Sequence, residues 1–144
     1  MKVSNLDAWS NEAVGRTGLI HTHYHWMLSG ERDVEDTCNL GLAIKELSQA
    51  WVAAQDKSIE KEKWLQAAES TAEFLVSHYS PEHGFGKAWN VETGECTDAN
   101  GTIGAYVIPG LTSLWRATGE ERWLKAAREA CRFYRDRDLK IQKI

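Results

Sequence analysis

A repeated motif constrains the fold of this chain more than any other feature of its sequence. The run Trp-Leu-Gln-Ala-Ala at 64–68 recurs as Trp-Leu-Lys-Ala-Ala at 123–127, an offset of 59 residues. A further apolar stretch precedes each copy, and it includes Trp51 in one case and Trp115 in the other. Self-similarity of this kind is typical of stacked helical units. The chain of 144 residues is therefore interpreted as two copies of a helical hairpin in one domain.

Apolar residues fall on one stripe of a helix in four segments, which predicts four long helices. Pro109 lacks an N–H group and fits best in the first turn of a helix, so the third helix either begins near Ile108 or kinks there. Gly119 is suited to end the same helix, because it adopts the left-handed conformation without a Cβ clash. The four predicted helices cover roughly 37–55, 60–79, 108–118 and 120–137.

The distribution of charge divides these helices into two kinds. Residues 38–55 contain two charged side chains and residues 103–118 contain one, whereas 60–77 contain six and 120–137 contain ten. Helices almost without charge are buried on most sides, and strongly charged faces are solvated. The order along the chain is thus inner, outer, inner, outer, which favours a two-layer helical arc over a simple four-helix bundle.

Long irregular segments precede both inner helices. The link over 78–102 and the segment up to Asp36 are long, whereas the links from inner to outer helices are short. Both long segments are expected on one side of the molecule, beside the inner helices. This pattern predicts an irregular N-terminal segment over 1–36, two hairpins over 37–137 and a C-terminal tail over 138–144.

Four short runs resemble a hairpin of the six-hairpin glycosidase superfamily: 84–86 (Gly-Phe-Gly), 98–102 (Asp-Ala-Asn-Gly-Thr), 108–111 (Ile-Pro-Gly-Leu) and 117–127. That superfamily includes unsaturated glucuronyl and rhamnogalacturonyl hydrolases and N-acylglucosamine 2-epimerases. The resemblance implies an all-α chain whose hairpins belong to an (α/α)6 toroid. A toroid has six hairpins, so two imply a segment with exposed inner-helix flanks, which favour self-association.

Two aspartates are the candidate catalytic residues. Glycoside hydrolysis commonly uses a pair of carboxylates as acid and base. Asp36 and Asp98 each lie before an inner helix, and the alternative role for both is that of a cap or turn residue. The resemblance to the glucuronyl hydrolase branch implies that Asp98 acts as general acid and base. Carboxyl groups about 5 Å apart suit a retaining pair, and about 6.5–9.5 Å an inverting pair.

Aromatic and polar side chains of the long segments are candidates for contact with a sugar. Tryptophans outside the helices either stack on a sugar ring or pack over the inner helices. In the run over 21–26, alternating histidines share one face if the backbone is extended. They serve as general bases, as the epimerase branch implies, or bind a metal, or have a structural role. The candidate substrate-binding residues are Trp89, His83, Asn100, His25 and Trp26.

Composition and missing motifs exclude several partners. A net charge of -4 argues against nucleic acid, and no apolar run reaches the roughly 20 residues of a membrane span. No phosphate loop, dinucleotide fingerprint or zinc spacing is present, so we expect neither cofactor nor metal. Three cysteines, an odd number, and the lack of a signal-peptide pattern favour the cytoplasm.

The leading interpretation is a carbohydrate-active, glycoside hydrolase-like protein with a carbohydrate substrate. One alternative is a sugar epimerase or isomerase with histidine bases. The other is a non-catalytic helical module for assembly or binding.

Overall fold

The computed structural model describes residues 5–23 and 33–142. This part of the chain contains five α-helices and three short strands. The prediction of a mainly helical protein is confirmed. In chain order the elements are α1 (Asn5–Ser10), β1 (Val34–Asp36), α2 (Thr37–Ala53), α3 (Ile59–Ser77), β2 (Ala88–Asn90), β3 (Cys96–Asp98), a 3₁₀ turn (Ile103–Tyr106), α4 (Val107–Thr118) and α5 (Glu121–Gln142).

Local signals in the sequence explain where the long helices begin and end. Helix α3 begins after Ser58, whose hydroxyl oxygen accepts a hydrogen bond from the Lys61 N–H at 3.4 Å. Pro109 lies in the first turn of α4, as predicted, and its missing N–H costs no helical hydrogen bond there. Gly119 ends α4 with a φ of 73°, the left-handed conformation in which many helices end.

The two nearly uncharged helices pack against each other at the centre of the described chain. Helix α2 makes its most extensive contact with α4, while α3 packs on α2 and α5 packs on α4. The interface buries Leu40, Ile44, Leu111 and Leu114, each fully shielded from solvent. The predicted difference between shielded and charged helices is present in this packing. The closed toroid stays a prediction.

Helices α2 and α4 approach closely because each has a glycine at the contact. A Cβ atom added to Gly41 would lie closer than 3.0 Å to the backbone oxygen of Tyr106. One added to Gly110 would lie 2.7 Å from the carbonyl oxygen of Gly41. Neither position has room for a methyl group, so backbone packs directly on backbone.

The structure differs from the sequence prediction at three places. Strands β1, β2 and β3 show that the fold is not all-α; each has only three residues, too few for an alternating pattern to stand out. The segment before residue 37 contains α1 and β1 rather than irregular structure alone. Helix α5 continues through Gln142 instead of ending at residue 137.

Helix α5 is tied to the long link by a buried tyrosine. Tyr134 is 4% exposed, and its hydroxyl oxygen accepts a hydrogen bond from the Phe85 N–H at 3.0 Å. Burial raises the pKa of the Tyr134 hydroxyl. Trp123 on the same helix is also buried, so α5 contributes two large aromatic side chains to the core.

None of the helices within 5–23 and 33–142 has the length and apolarity that crossing a bilayer requires.

We expect Gly41→Ala to destabilise the protein, although alanine is the better helix former by about 1 kcal/mol. The added methyl group would collide with the Tyr106 backbone, and such overpacking costs about 1–3 kcal/mol. Urea unfolding followed by circular dichroism measures the change. The control is Glu46→Ala on the exposed face of α2, which should change the free energy of unfolding by less than about 0.5 kcal/mol. Equal stability of Gly41→Ala and wild type would contradict the close contact.

Candidate functional site

A three-stranded antiparallel sheet joins the two long segments that precede the inner helices. β1 pairs with β2, with Glu35 opposite Trp89, and β2 pairs with β3. The Thr37 N–H at the start of α2 donates to the Lys87 carbonyl oxygen over 2.8 Å. The sheet therefore holds the start of one inner helix against the link that leads to the other.

The two candidate catalytic aspartates lie in one row across this sheet. Asp36 pairs with Ala88, and Ala88 pairs on its other side with Asp98. Because neighbouring strands are about 4.8 Å apart, the two aspartate Cα atoms are about 10 Å apart. Directly opposed residues of antiparallel strands project to the same face.

The two aspartates differ in what their carboxylates contact. Asp36 occupies the N-cap position of α2, yet its side chain accepts no capping hydrogen bond. The pKa of the neighbouring Cys38 thiol is raised, mainly because the thiol is partly buried and secondly because the Asp36 charge lies near it. Asp98 accepts the Asn100 N–H at 3.0 Å, and its other oxygen lies 3.6 Å from Lys87 Nζ. The Asp98 side chain therefore stabilises a turn, which is the alternative to a catalytic role that its sequence position allows. The Asp36 side chain makes no capping hydrogen bond.

Trp89 is part of the core. It is 5% exposed, and its indole N–H donates to the Phe85 carbonyl oxygen at 2.8 Å. Phe74 meets its ring edge-on with 5.2 Å between centroids, and His78 does so at 5.7 Å. Stacking on a sugar requires an exposed ring face, which Trp89 does not have in this conformation. Of the two roles expected for Trp89, stacking on a sugar or packing in the protein, its position in the core matches the second.

His83 and Asn100, two of the candidate substrate-binding residues, line one surface groove. The groove has a volume of about 410 Å³ and lies against the C-terminal half of α5. Asn100 also connects this groove to Asp98 through the backbone hydrogen bond of 3.0 Å. Polar, charged and aromatic side chains share the lining, which consists of Pro81, Glu82, His83, Asn100, Phe133, Asp136 and Arg137.

The structure describes residues 21–23 of the histidine-rich run over 21–26. His25 and Trp26 lie outside the described residues. His21 is 1% exposed, and its ring Nε2 lies 2.8 Å from Glu92 Oε1. Its backbone N–H donates to the Ala13 carbonyl oxygen at 2.7 Å. Because Glu92 belongs to the β2–β3 turn, the described start of the run lies beside the Trp89 stretch. The prediction that the two long segments meet on one side is confirmed for these residues.

His23 is held by a buried carboxylate. Glu35 is 1% exposed and accepts three hydrogen bonds: from the Thr22 hydroxyl at 2.5 Å, from the His23 N–H at 3.0 Å and from His23 Nδ1 at 2.9 Å. A carboxylate accepts hydrogen bonds, so Nδ1 carries the proton and Nε2 is the basic nitrogen of the neutral ring. The His23 side chain is 31% exposed.

Neither Glu35 nor Glu92 stands out in the sequence as a partner for histidine. Glu35 precedes a helix next to another acidic residue, which is typical of an exposed helix start. Its burial follows from the pairing of β1 with a strand more than 50 residues away, and no local pattern predicts that pairing. Within 5–23 and 33–142, no group of three or more His, Cys, Asp or Glu side chains is arranged to hold a metal ion.

Comparisons of the chain with protein-family models, with curated proteins and with solved structures find no match.

The His21–Glu92 pair predicts a pH-dependent contribution to stability. The hydrogen bond from His21 lowers the pKa of the Glu92 carboxyl below its usual value. A lowered pKa in the folded state stabilises the protein above the unfolded value of about 4.3, and this contribution disappears as the pH falls through the folded value. We therefore expect the loss of stability between pH 6 and pH 3.5 to be smaller in Glu92→Gln than in wild type.

Urea unfolding at several pH values measures this difference. Glu95→Gln, in the exposed part of the same turn, is the matched control and should retain the wild-type profile. An unchanged profile for Glu92→Gln would contradict the role of the pair.

Proposed function

We propose that the chain is part of a carbohydrate-active protein that cleaves glycosidic bonds by acid and base chemistry. The observation that supports this is the row Asp36–Ala88–Asp98, which joins the two aspartates across one sheet. The resemblance to six-hairpin glycosidases supports it independently, because Asp98 belongs to one of the runs that carry the resemblance.

In this proposal the two carboxylates have different tasks. Asp98 protonates the glycosidic oxygen as the bond to the sugar breaks, and the general acid is then restored from water. Asp36 removes a proton from the water that attacks the anomeric carbon. A separation of about 6.5–9.5 Å leaves room for that water and inverts the configuration.

The groove beside Asp98 is the proposed sugar site. His83 and Asn100 line it and carry hydrogen-bonding groups that suit sugar hydroxyls. Phe133 lines it as well, so an aromatic ring is available where Trp89 is not. Aromatic walls with a few polar groups are typical of small-molecule sites.

Asp98→Asn and Asp36→Asn are expected to lower the rate of glycoside hydrolysis by about 10²–10⁴-fold each, the usual contribution of a general acid or base. Release of reducing ends from neutral and uronate oligosaccharides measures the rate. Asp56→Asn is the control, because Asp56 is exposed and pairs with Lys61 at 2.9 Å, outside the row. Unchanged hydrolysis in Asp98→Asn would refute the assignment of the general acid.

A second candidate function is the epimerisation or isomerisation of a sugar, with His23 as the base. The observation that favours it is the buried Glu35 carboxylate, which orients the His23 ring. A carboxylate behind a histidine holds the tautomer in which Nε2 accepts a proton. In this reaction Nε2 removes a proton from a sugar carbon and a proton returns to the opposite face.

Incorporation of solvent deuterium at a sugar carbon distinguishes this reaction from hydrolysis. We expect His23→Gln to lower such exchange by about 10²–10⁴-fold and Glu35→Gln to shift its pH profile. His78→Gln is the control, because His78 is exposed and its Nδ1 lies 2.8 Å from the Phe74 carbonyl oxygen of its own helix. Cleavage without deuterium incorporation would exclude the epimerase.

A non-catalytic assembly module is the alternative from another class. Leu42 and Val52 on α2 are 39% and 54% exposed, and Val52 lines a cavity of about 230 Å³ beside α4. A second copy of the chain is the proposed occupant of this flank. Absence of activity, unchanged sugar binding in Asp98→Asn and a defined oligomer in sedimentation would together support the module.

A further inference from the structure

One dipeptide in the loop between β3 and the 3₁₀ turn is chemically labile. Asn100 is followed by Gly101, and this is the single Asn-Gly pair in the sequence. The other four asparagines, at 5, 11, 39 and 90, precede Leu, Glu, Leu and Val. The side-chain amide of asparagine is open to attack by the backbone nitrogen of the next residue, and a side chain on that residue hinders the attack. Glycine has no Cβ atom and leaves the approach open.

The surroundings of Asn100 leave its side-chain amide accessible in the folded protein. Asn100 is exposed and lines the groove beside α5. Its backbone N–H donates to Asp98 Oδ1 at 3.0 Å, whereas its side-chain amide makes no hydrogen bond to the described residues. The amide is therefore free to turn toward the backbone of the next residue.

Gly101 presents its backbone nitrogen without a hydrogen bond. Its φ is 117°, in the left-handed region that favours glycine. A Cβ atom added to Gly101 would meet only Lys87 Cδ, at 3.8 Å, so the loop is not crowded there. Among the backbone hydrogen bonds of residues 5–23 and 33–142, none uses the Gly101 N–H. This nitrogen thus has no hydrogen bond to give up before it reacts.

Asn90, on β2, has the opposite surroundings. Its Oδ1 accepts hydrogen bonds from the Glu92 and Thr93 N–H groups, both at 2.9 Å. The N–H of Val91 donates to the Asp33 carbonyl oxygen at 2.8 Å, and Val91 is buried. Both the amide and the nitrogen that would attack it are held in hydrogen bonds. Asn90 is therefore a matched asparagine that we expect to be unreactive in the folded protein.

We propose that Asn100 is a site of spontaneous deamidation and isoaspartate formation. The Gly101 nitrogen loses its proton to hydroxide and forms a bond to Cγ of Asn100. The bond from Cγ to Nδ2 breaks, and the nitrogen leaves as ammonia after it takes a proton from water. Water then opens the resulting succinimide ring at either of its two carbonyl groups. One opening gives aspartate, and the other gives isoaspartate, in which the main chain passes through the side-chain carbon atoms.

Either product places a new negative charge on the groove. Glu82 and Asp136 already line it, and Asp98 lies two residues before the new carboxylate. The Lys87 side chain lies beside both Asp98 and Gly101, so two carboxylates would share it after the reaction. The modification therefore changes the charge of the surface that the proposed function uses, although its chemistry does not depend on that function.

Mass spectrometry of the incubated full chain tests the proposal. Trypsin cleaves after Lys87 and Arg116, so the peptide 88–116 contains both Asn90 and Asn100. We expect the amide to become an acid at Asn100 while Asn90 stays intact. Conversion should be faster at pH 8 than at pH 6, because the attacking nitrogen must lose a proton. Digestion at pH 6 limits further loss of amide during the assay.

A second readout identifies the isoaspartate. A protein isoaspartyl methyltransferase should transfer methyl groups to this peptide after incubation, and Asn100→Gln should abolish the transfer. Methylation shows that the reaction passes through the succinimide, since direct hydrolysis of the amide gives aspartate alone. Deamidation of Asn100 without isoaspartate would overturn the proposed route.

The variant Thr102→Ala separates this reaction from the attachment of a glycan. Asn100, Gly101 and Thr102 also match the acceptor pattern of N-linked glycans, whose transfer needs an enzyme and a sugar donor. Thr102 makes no capping hydrogen bond through its side chain, so its replacement should leave the rate of deamidation unchanged. A glycan on Asn100, or loss of deamidation in Thr102→Ala, would overturn the proposal.

Comparison with the unfolded chain tests the structural basis of the inference. The rate at Asn100 in the folded protein should lie within about tenfold of the rate in urea, because opening of an exposed loop costs little free energy. Stronger protection of Asn100, or equal rates at Asn90 and Asn100 in the folded protein, would overturn it. Circular dichroism establishes that the incubated protein remains folded. The readout is a mass and not hydrolysis, so failure of the hydrolase would leave this inference standing.

Discussion

The pairing of β1 with β2 is the interaction on which the rest of the site depends. It joins residues 34–36 to 88–90, two segments more than 50 residues apart, through strands of only three residues each. Closing a loop of this length costs conformational entropy that such short strands do not repay alone. The burial of Trp89 in the core supplies the missing stabilisation. The three hydrogen bonds that Glu35 accepts offset the cost of burying its carboxylate. Sheet and helical core therefore support each other.

The helical part of the fold could be read from the sequence because its signals are local. The repeated Trp-Leu-x-Ala-Ala run, Pro109 and Gly119 act within one or two turns of a helix. The alternation of charge along the chain predicts which helices are shielded, since charged side chains stay in contact with water. The strands could not be found in this way. Their residues owe their conformation to partners far along the chain, and three residues carry no period.

The same contrast between local signals and distant partners applies to the site. Asp36 and Asp98 are candidates because they stand before inner helices, and only the sheet shows that they share one row. The position of Trp89 outside a helix leaves both sugar stacking and packing open, and in the structure it fills the core from a strand. The sequence does not pair Glu35 with His23 or Glu92 with His21, since only folding brings the carboxylates of distant segments to these rings.

The hydrogen bond between the Phe85 N–H and the Tyr134 hydroxyl oxygen has a consequence for the width of the groove. One wall of the groove is α5, next to Tyr134, and the opposite wall is the turn over 81–83, next to Phe85. This buried hydrogen bond links the residues that follow the two walls in the chain. The width of the groove is therefore set by a contact inside the core, and not by the exposed side chains that line it.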